Sequence, residues 1–303
     1  MPQIMSLMIS VIFSLNVSFV EKIATPKEPI QSQNGIYTIS ASFRPGVEVL
    51  VDHTSFIKNG KIVWTKAGDG ESYYYIGNNG TVVALVPEGD NLFLRFYDHN
   101  GNKKSEVFVA YPQGGSFTLD GEGFFFNSAS GLSLFSKDGK VLANFGQCSQ
   151  YAFSRDGRTV ARSSGSEITV SKGEKTIFNS TLPSPSIRGM AMSEDGKSLA
   201  VIEHHNLFVY DLTQGRELYH LPVENPIVVS ISPDGELVAC AKETRLATSF
   251  ISVSLFNRTG EKVWEWSNRF TKDYETVYRI DFTRDRFLNI YSTDDVFRFR
   301  IGE

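Results

Sequence analysis

The sequence is poor in cysteine and proline, and it has no excess of charge of either sign. Only two cysteines, Cys148 and Cys240, occur among 303 residues, so a framework of disulfides does not hold this chain together. Eleven prolines against 25 glycines indicate tight turns rather than proline-rich linkers. The formal net charge is −4, with acidic and basic residues interspersed. A basic surface is therefore not expected, and we predict no nucleic-acid partner.

Common catalytic motifs are also missing. The sequence contains no Gly-x-Ser-x-Gly, no Gly-x-x-x-x-Gly-Lys-Ser/Thr, no His-Glu-x-x-His and no Cys-x-x-Cys. Long amphipathic windows with helical spacing are absent too, which argues against repeats of alternating strand and helix. We therefore predict no catalytic residue, no metal and no cofactor, and we favour a protein that is not an enzyme. An enzyme can also build its site from dispersed loop residues, so that alternative stays open.

What the sequence does contain is a degenerate repeat of apolar strands joined by glycine turns. The clearest copies contain Ser154-Arg155-Asp156-Gly157 and the equivalent segments ending at Gly196 and Gly235. Asp-Gly supplies the positive φ angles that a tight hairpin turn requires. The turn glycines predicted for this series stand at positions 46, 80, 121, 157, 196 and 235, and a seventh turn without glycine lies near Asp285.

A second glycine series has a matching period. Its members precede the last strand of each repeat and are Gly60, Gly101, Gly139, Gly173, Gly215 and Gly260. The intervals in both series are roughly those of a four-stranded propeller blade, which takes about 40 to 50 residues. We therefore predict an all-β fold, a single seven-bladed β-propeller.

The segment Ser232-Pro233-Asp234-Gly235 and the apolar residues after it resemble the repeat core of TolB-like and WD-repeat-like propellers. The resemblance runs from about residue 36 to the end and is strongest in blades four to six. No repeat has the Gly-His and Trp-Asp pairs of eukaryotic WD repeats. The resemblance implies a protein-interaction or scaffold module. Trp64 and Trp264 follow glycine turns in a way that is similar to quinoprotein-like repeats, which implies the alternative of a propeller enzyme or a cofactor or metal binder, such as a hydrolase, a lyase or a quinoprotein relative.

The last repeat supplies only three strands, and an open blade would leave an unpaired edge. We predict that an N-terminal strand within residues 22–33 closes this blade. Pro26 and Pro29 suit an outer strand, where the missing N–H can face solvent.

The first 20 residues differ in composition from the rest of the chain. Residues 4–20 are apolar without a charge, which is the length of the apolar region of a signal peptide. We predict a signal peptide or membrane anchor in residues 1–20 and one propeller domain in residues 21–303. The protein is then exported, as a periplasmic, extracellular or membrane-anchored protein. If the segment is not a signal, the protein is cytoplasmic.

The candidate binding residues lie in loops on the face opposite the Asp-Gly turns. Loops 242–249 and 267–276 are longer than their counterparts in other blades, and cationic and aromatic residues of this kind are typical of interfaces. Solvated insertions with ordinary surface charge are the alternative. We expect adjacent histidines to point to opposite sides of a strand, which argues against a metal site. The predicted site for a protein or cell-envelope partner comprises Arg245, Arg269, Phe270, Lys272, Asp273, Tyr274, His204, His205 and His53.

Overall fold

Seven four-stranded antiparallel sheets follow one another along the chain. This computed structural model describes residues 17–24, 30–31, 36–43, 51–67, 73–245, 249–269, 276–293 and 295–302. All regular structure in these residues is β-strand. They contain no helix with the length and apolar character needed to cross a membrane. The predicted all-β fold, a seven-bladed β-propeller, is confirmed.

The first strand along the chain, β1 (Val17–Ala24), belongs to the last blade. The next twelve strands form the first three blades in order. Blade one contains β2 (Ile30–Gln31), β3 (Tyr37–Phe43), β4 (Val51–Lys58) and β5 (Lys61–Ala67). Blade two contains β6 (Tyr73–Ile76), β7 (Val82–Glu88), β8 (Asn91–Tyr97) and β9 (Lys103–Val109). Blade three contains β10 (Pro112–Phe117), β11 (Gly123–Ser128), β12 (Gly131–Ser136) and β13 (Val141–Asn144).

The remaining strands form blades four to seven. Blade four contains β14 (Gln150–Phe153), β15 (Thr159–Ser164), β16 (Glu167–Lys172) and β17 (Lys175–Thr181). Blade five contains β18 (Gly189–Met192), β19 (Ser198–Ile202), β20 (Asn206–Asp211) and β21 (Arg216–Pro222). Blade six contains β22 (Pro226–Ile231), β23 (Leu237–Arg245), β24 (Ser249–Asn257) and β25 (Lys262–Arg269). Blade seven contains β26 (Val277–Phe282), β27 (Phe287–Ser292), β28 (Asp295–Ile301) and the outer strand β1.

The N-terminal strand closes the last blade, as predicted, but it lies further upstream. β1 pairs with β28 antiparallel, with Val17 opposite Ile301 and Ala24 opposite Asp295. The predicted range of residues 22–33 overlaps β1 only at residues 22–24, because the prediction began blade one too late. Residues 30–31 are the innermost strand of blade one, and Pro26 and Pro29 lie outside the described residues.

The first turn of the predicted glycine series was also misplaced. We expected Gly46 to join the first two strands of blade one, but β3 and β4 are its second and third strands, and residues 44–50 connect them. The first two strands are instead connected by residues 32–36, which include the sequence Ser32-Gln33-Asn34-Gly35. Gly46 lies outside the described residues, and β2 shows that the repeat begins earlier than we predicted.

The Ser-x-Asp-Gly turns organise one face of the ring. Ser154 Oγ donates to Asp156 Oδ1 at 2.8 Å and accepts the N–H of Thr159 at 3.0 Å. Gly157 has φ +67°, and a Cβ there would lie 2.8 Å from Thr118 Cγ2 of the preceding blade. Glycine is therefore required both by the turn and by the packing of one blade on the next. Turn chemistry accounts for these aspartates, as predicted, so they need no catalytic role.

Six apolar clusters join consecutive blades from one to seven. Between blades six and seven, Phe297 and Phe299 of β28 pack on Trp264 and Trp266. The alternate residues of β28 face the other way, toward blade one, and include Arg298 and Arg300, whose guanidinium groups lie over the Phe287 ring.

Candidate functional site

The connections between strands divide the propeller into two faces. The lower face carries the Ser-x-Asp-Gly turns and the turns of the second glycine series. The upper face carries the connections between the second and third strands of each blade and those that lead to the next blade. The upper connections vary in length and composition, and binding residues of proteins lie disproportionately in such loops.

On the upper face, the three outer strands of blade six extend beyond the end of its innermost strand, β22. β22 and β23 pair up to Pro226 opposite Lys242, but β23 continues to Arg245 and pairs with β24 to the end. We name residues 243–245, 249–251 and 268–269 the blade-six extension. Three further residues of strand correspond to roughly 10 Å. We had predicted loops at 242–249 and 267–276, yet Lys242–Arg245, Ser249 and Ser267–Arg269 are strand.

The predicted binding residues of blades six and one take different places. Arg269 stands opposite Phe250 in the sheet, and Arg245 stands opposite Ser249. Phe270, Lys272, Asp273 and Tyr274 lie outside the described residues. His53 is in β4, opposite Ser42 and Ala67, rather than in a loop as predicted. It belongs to blade one and is not brought together with the other candidates around blade six.

His204 and His205 lie together in the upper turn of blade five. Their ring centroids are 4.1 Å apart with an angle of 37° between the planes, and both side chains are exposed. We expected them to point apart because side chains alternate along a strand. The residues are in a turn, where the N–H of Glu203 donates to the carbonyl of Asn206 at 3.0 Å, so strand alternation does not apply.

Arg188 connects this turn to the next blade. Its Nη2 lies 2.6 Å from His204 Nδ1, and its Nη1 donates to Asn225 Oδ1 at 2.7 Å. A further contact of 3.4 Å runs from Nη1 to the carbonyl of Pro226. Sequence reasoning missed Arg188 because it is a single arginine before an inner strand, with no motif around it. The pairing of β18 with β19 brings it beside His204, because the N–H of Arg188 donates to the carbonyl of Ile202 at 2.8 Å.

Asn225 joins the same group of residues to the blade-six extension. It has φ +48°, a conformation that asparagine tolerates better than most residues. Its Nδ2 donates to the carbonyl of Glu243 at 3.1 Å, and the N–H of Glu243 donates to the Asn225 carbonyl at 3.2 Å. We name Arg188, His204, His205 and Asn225 the upper cluster. It is continuous through hydrogen bonds with the base of the extension.

The carboxylate of Glu203, which precedes the histidine pair in sequence, is already engaged. Glu203 is 2% exposed, its Oε2 accepts the N–H of Ser184 at 3.0 Å and its Oε1 accepts Asn206 Nδ2 at 2.6 Å. Across the residues that the structure describes, no group of three or more His, Cys, Asp or Glu side chains could hold a metal ion. The upper cluster itself combines two imidazoles, a guanidinium and an amide.

Two grooves run between blades on the outside of the ring. One of about 350 Å³ lies between blades four and five and is lined by Tyr210, Phe208 and His220. His220 Nδ1 lies 2.7 Å from Glu217 Oε1 there. The other, of about 370 Å³, lies between blades five and six and includes Lys242 and Lys262. Both grooves adjoin blade five, as the upper cluster does.

No protein-family model matches the chain, and no curated protein is similar to it in sequence. Solved structures do share its architecture. KlHsv2 with loop 6CD replaced by a Gly-Ser linker superposes with a TM-score of 0.65 at 11% identity, over 95% of this chain and 98% of that chain. Kluyveromyces lactis Hsv2 gives a TM-score of 0.62 at 12% identity, over 91% and 90%. The fold is shared across the whole ring.

A eukaryotic initiation factor is a third structural neighbour. Its TM-score is 0.58 at 11% identity, over 80% of this chain and 64% of that chain. At such low identity these similarities concern the fold alone. They support the propeller architecture, and the specific WD-repeat-like or TolB-like resemblance stays a prediction.

Proposed function

We propose that this chain is an exported, non-enzymatic interaction module that binds a protein or cell-envelope partner through the upper face of blades five and six. The observation that carries the proposal is the hydrogen-bonded continuity between the upper cluster and the blade-six extension. Together they offer a cation, two exposed imidazoles and Phe250, a residue that is 39% exposed. Arginine and aromatic residues are enriched at the energetic centres of interfaces.

Export is supported by the apolar segment at residues 4–20. Residues 17–20 belong to the strand that closes the ring. A cleavage site after residue 20 would remove half of that strand, so cleavage would have to occur before Val17. If the segment is kept as an anchor, it attaches the propeller to a membrane. Fractionation of cells that express the full chain tests export, and recovery in the cytosol alone would contradict it.

Site-specific crosslinking in cells tests the interaction surface. A photoreactive side chain at position 250 should trap a partner, whereas the same group at position 158 on the lower face should not. The trapped partner is then purified, and its Kd is measured for the wild type, for a His205→Ala/Phe250→Ala variant and for Arg216→Ala. Arg216 is exposed at the lower end of blade five and serves as the matched control. We expect the double variant to raise Kd at least about tenfold. Equal crosslinking from both positions, or an unchanged Kd, would refute this surface.

A further inference from the structure

We infer that Arg188, His204 and His205 form a binding site for a carboxylate group. The inference rests on the proposed function only in naming an acidic segment of a protein as the natural source of that group. The site itself follows from how the three side chains are held. It concerns the upper turn of blade five and the connection that leads into that blade.

The guanidinium group of Arg188 is fixed in place but not saturated. Its Nη1 is used by Asn225 Oδ1 and the carbonyl of Pro226, and one Nη2–H is used by His204. An arginine has five N–H donors and no acceptor. Nε–H and the second Nη2–H have no protein acceptor within the part of the chain that the structure describes. A half-buried, immobilised guanidinium with spare donors loses little side-chain entropy when it binds a planar two-oxygen group.

The contact with Arg188 also sets the tautomer of His204. Because a guanidinium can only donate, His204 Nδ1 must accept the hydrogen bond of 2.6 Å. The proton of the neutral ring is then on Nε2, on the far side of the ring from Arg188. His204 therefore offers a donor in addition to those of Arg188, and His205 lies against it with its ring 4.1 Å away.

Charge also favours an anion at this site. Arg188 makes no ion pair with any described carboxylate, in contrast to Arg155, Arg258 and Arg279. Both oxygens of Glu203 are bound to Ser184 and Asn206 and turned inward. One formal positive charge and two exposed imidazoles thus lie together, and the guanidinium has no ion-pair partner among the described residues. A hydrogen bond between charged groups is worth more than one between neutral groups, which suits a carboxylate ligand.

Nitrogen NMR of the histidine rings in the full chain provides the test. The probes are sodium glutarate, an N-acetylated and C-amidated tri-glutamate peptide, the same peptide made with glutamine, and inorganic phosphate. Without a ligand, His204 should show an unprotonated Nδ1 and a protonated Nε2. Glutarate and the tri-glutamate peptide should shift the resonances of His204 and His205 with saturation, whereas the tri-glutamine peptide should not. Tighter binding of the peptide than of glutarate identifies a protein segment as the source, and tighter binding of glutarate identifies a small molecule.

Variants separate the site from general surface effects. Arg188→Ala should raise the Kd of the tri-glutamate peptide at least about tenfold. Arg188→Lys keeps the charge but loses the planar donors, and it should give an intermediate Kd. Arg216→Ala should leave the Kd unchanged. Circular dichroism tests whether each variant is folded. If Arg188→Ala is unfolded, the Kd of the tri-glutamate peptide for Arg188→Lys tests the inference instead.

Three results would overturn the inference. The first is that glutarate and the tri-glutamate peptide cause no saturable shifts. The second is that Arg188→Lys and Arg188→Ala both leave the Kd of the tri-glutamate peptide unchanged. The third is that phosphate binds more tightly than glutarate and the tri-glutamate peptide. The experiments distinguish failure of the carboxylate site from failure of the proposed function. If the peptide binds through Arg188 but the crosslinked partner binds the Arg188→Lys variant normally, the carboxylate site stands and the partner does not use it. If the peptide does not bind but the His205→Ala/Phe250→Ala variant weakens the partner, the proposed function stands and the carboxylate site fails.

Discussion

Arg258 of blade six donates a hydrogen bond from Nη2 to Asp211 Oδ2 of blade five, with 3.1 Å between the two atoms. Its Nη1 also donates to Glu236 Oε1 at 2.9 Å. The Asp211 side chain is only 5% exposed, whereas that of Arg258 is 46% exposed. On the lower face, this arginine therefore joins two blades and covers a buried carboxylate.

Arg258→Ala should destabilise the ring by about 1 kcal/mol, because a half-exposed ion pair contributes modestly even when one partner is buried. Urea unfolding at neutral pH measures the change. Arg158→Ala is the matched control, since that side chain is 80% exposed and lies 3.6 Å from Asp156. It should change the free energy of unfolding by less than about 0.5 kcal/mol. An equal effect of the two substitutions would contradict the bridging role of Arg258.

Stability should decline in acid because of carboxylates such as Asp211. Burial acts to raise the pKa of Asp211, but hydrogen bonds from the amides of Gln214 and Thr213 and from Arg258 outweigh it, so the pKa lies below its ordinary value. A folded pKa below the unfolded one gives stability that is present above the unfolded pKa, about 3.9, and lost as pH falls through the folded pKa.

Asp211→Asn should therefore be destabilised relative to wild type at pH 7, and the difference should shrink below about pH 4. Urea unfolding at pH 7 and pH 3 measures both differences. The effect of Arg258→Ala should shrink in parallel, because protonation of Asp211 removes the charge that Arg258 binds. A difference between Asp211→Asn and wild type that stays constant over this range would show that Asp211 is not responsible.

Two glycines in equivalent upper turns should respond differently to alanine. Gly131 has φ +109°, and a Cβ there would lie 2.4 Å from the carbonyl carbon of Gly146. Gly165 has φ +60°, and a Cβ at that position would have no other atom within 4 Å. Gly165→Ala should cost about 1–2 kcal/mol, the strain of a left-handed conformation. Gly131→Ala should cost clearly more, since backbone must move as well. Thermal unfolding compares them, and equal losses would exclude the close approach to Gly146.

Removal of the closing strand should open the ring. A chain that lacks residues 1–24 leaves the outer edge of β28 unpaired, and we expect a large fall in Tm together with aggregation. A chain that lacks only residues 1–16 keeps every pairing of β1 with β28 and is the control. It should retain its Tm. If both truncations unfold at the same temperature as the full chain, the pairing of β1 contributes nothing to stability.

The turn chemistry of this propeller could be predicted from sequence because it is local. Ser193 and Asp195 are two residues apart, and the hydrogen bond of 2.7 Å between them forms within the turn itself. The same short-range bond recurs at Ser154 and Ser232. Such turns recur with the period of a blade, so blade number and fold class followed without knowledge of the packing.

The start of the ring and the candidate site could not be derived in this way. The innermost strand of blade one has only two residues, Ile30–Gln31, so the repeat was predicted to begin later and the closing strand was sought downstream of Val17. Arg188 and His204 are 16 residues apart and belong to different connections, and Asn225 belongs to the next blade. The hairpin of β18 and β19 places Arg188 beside His204, because the N–H of Arg188 donates to the carbonyl of Ile202 at 2.8 Å. The packing of blade six on blade five adds Asn225, so tertiary structure rather than sequence distance sets which upper connections touch.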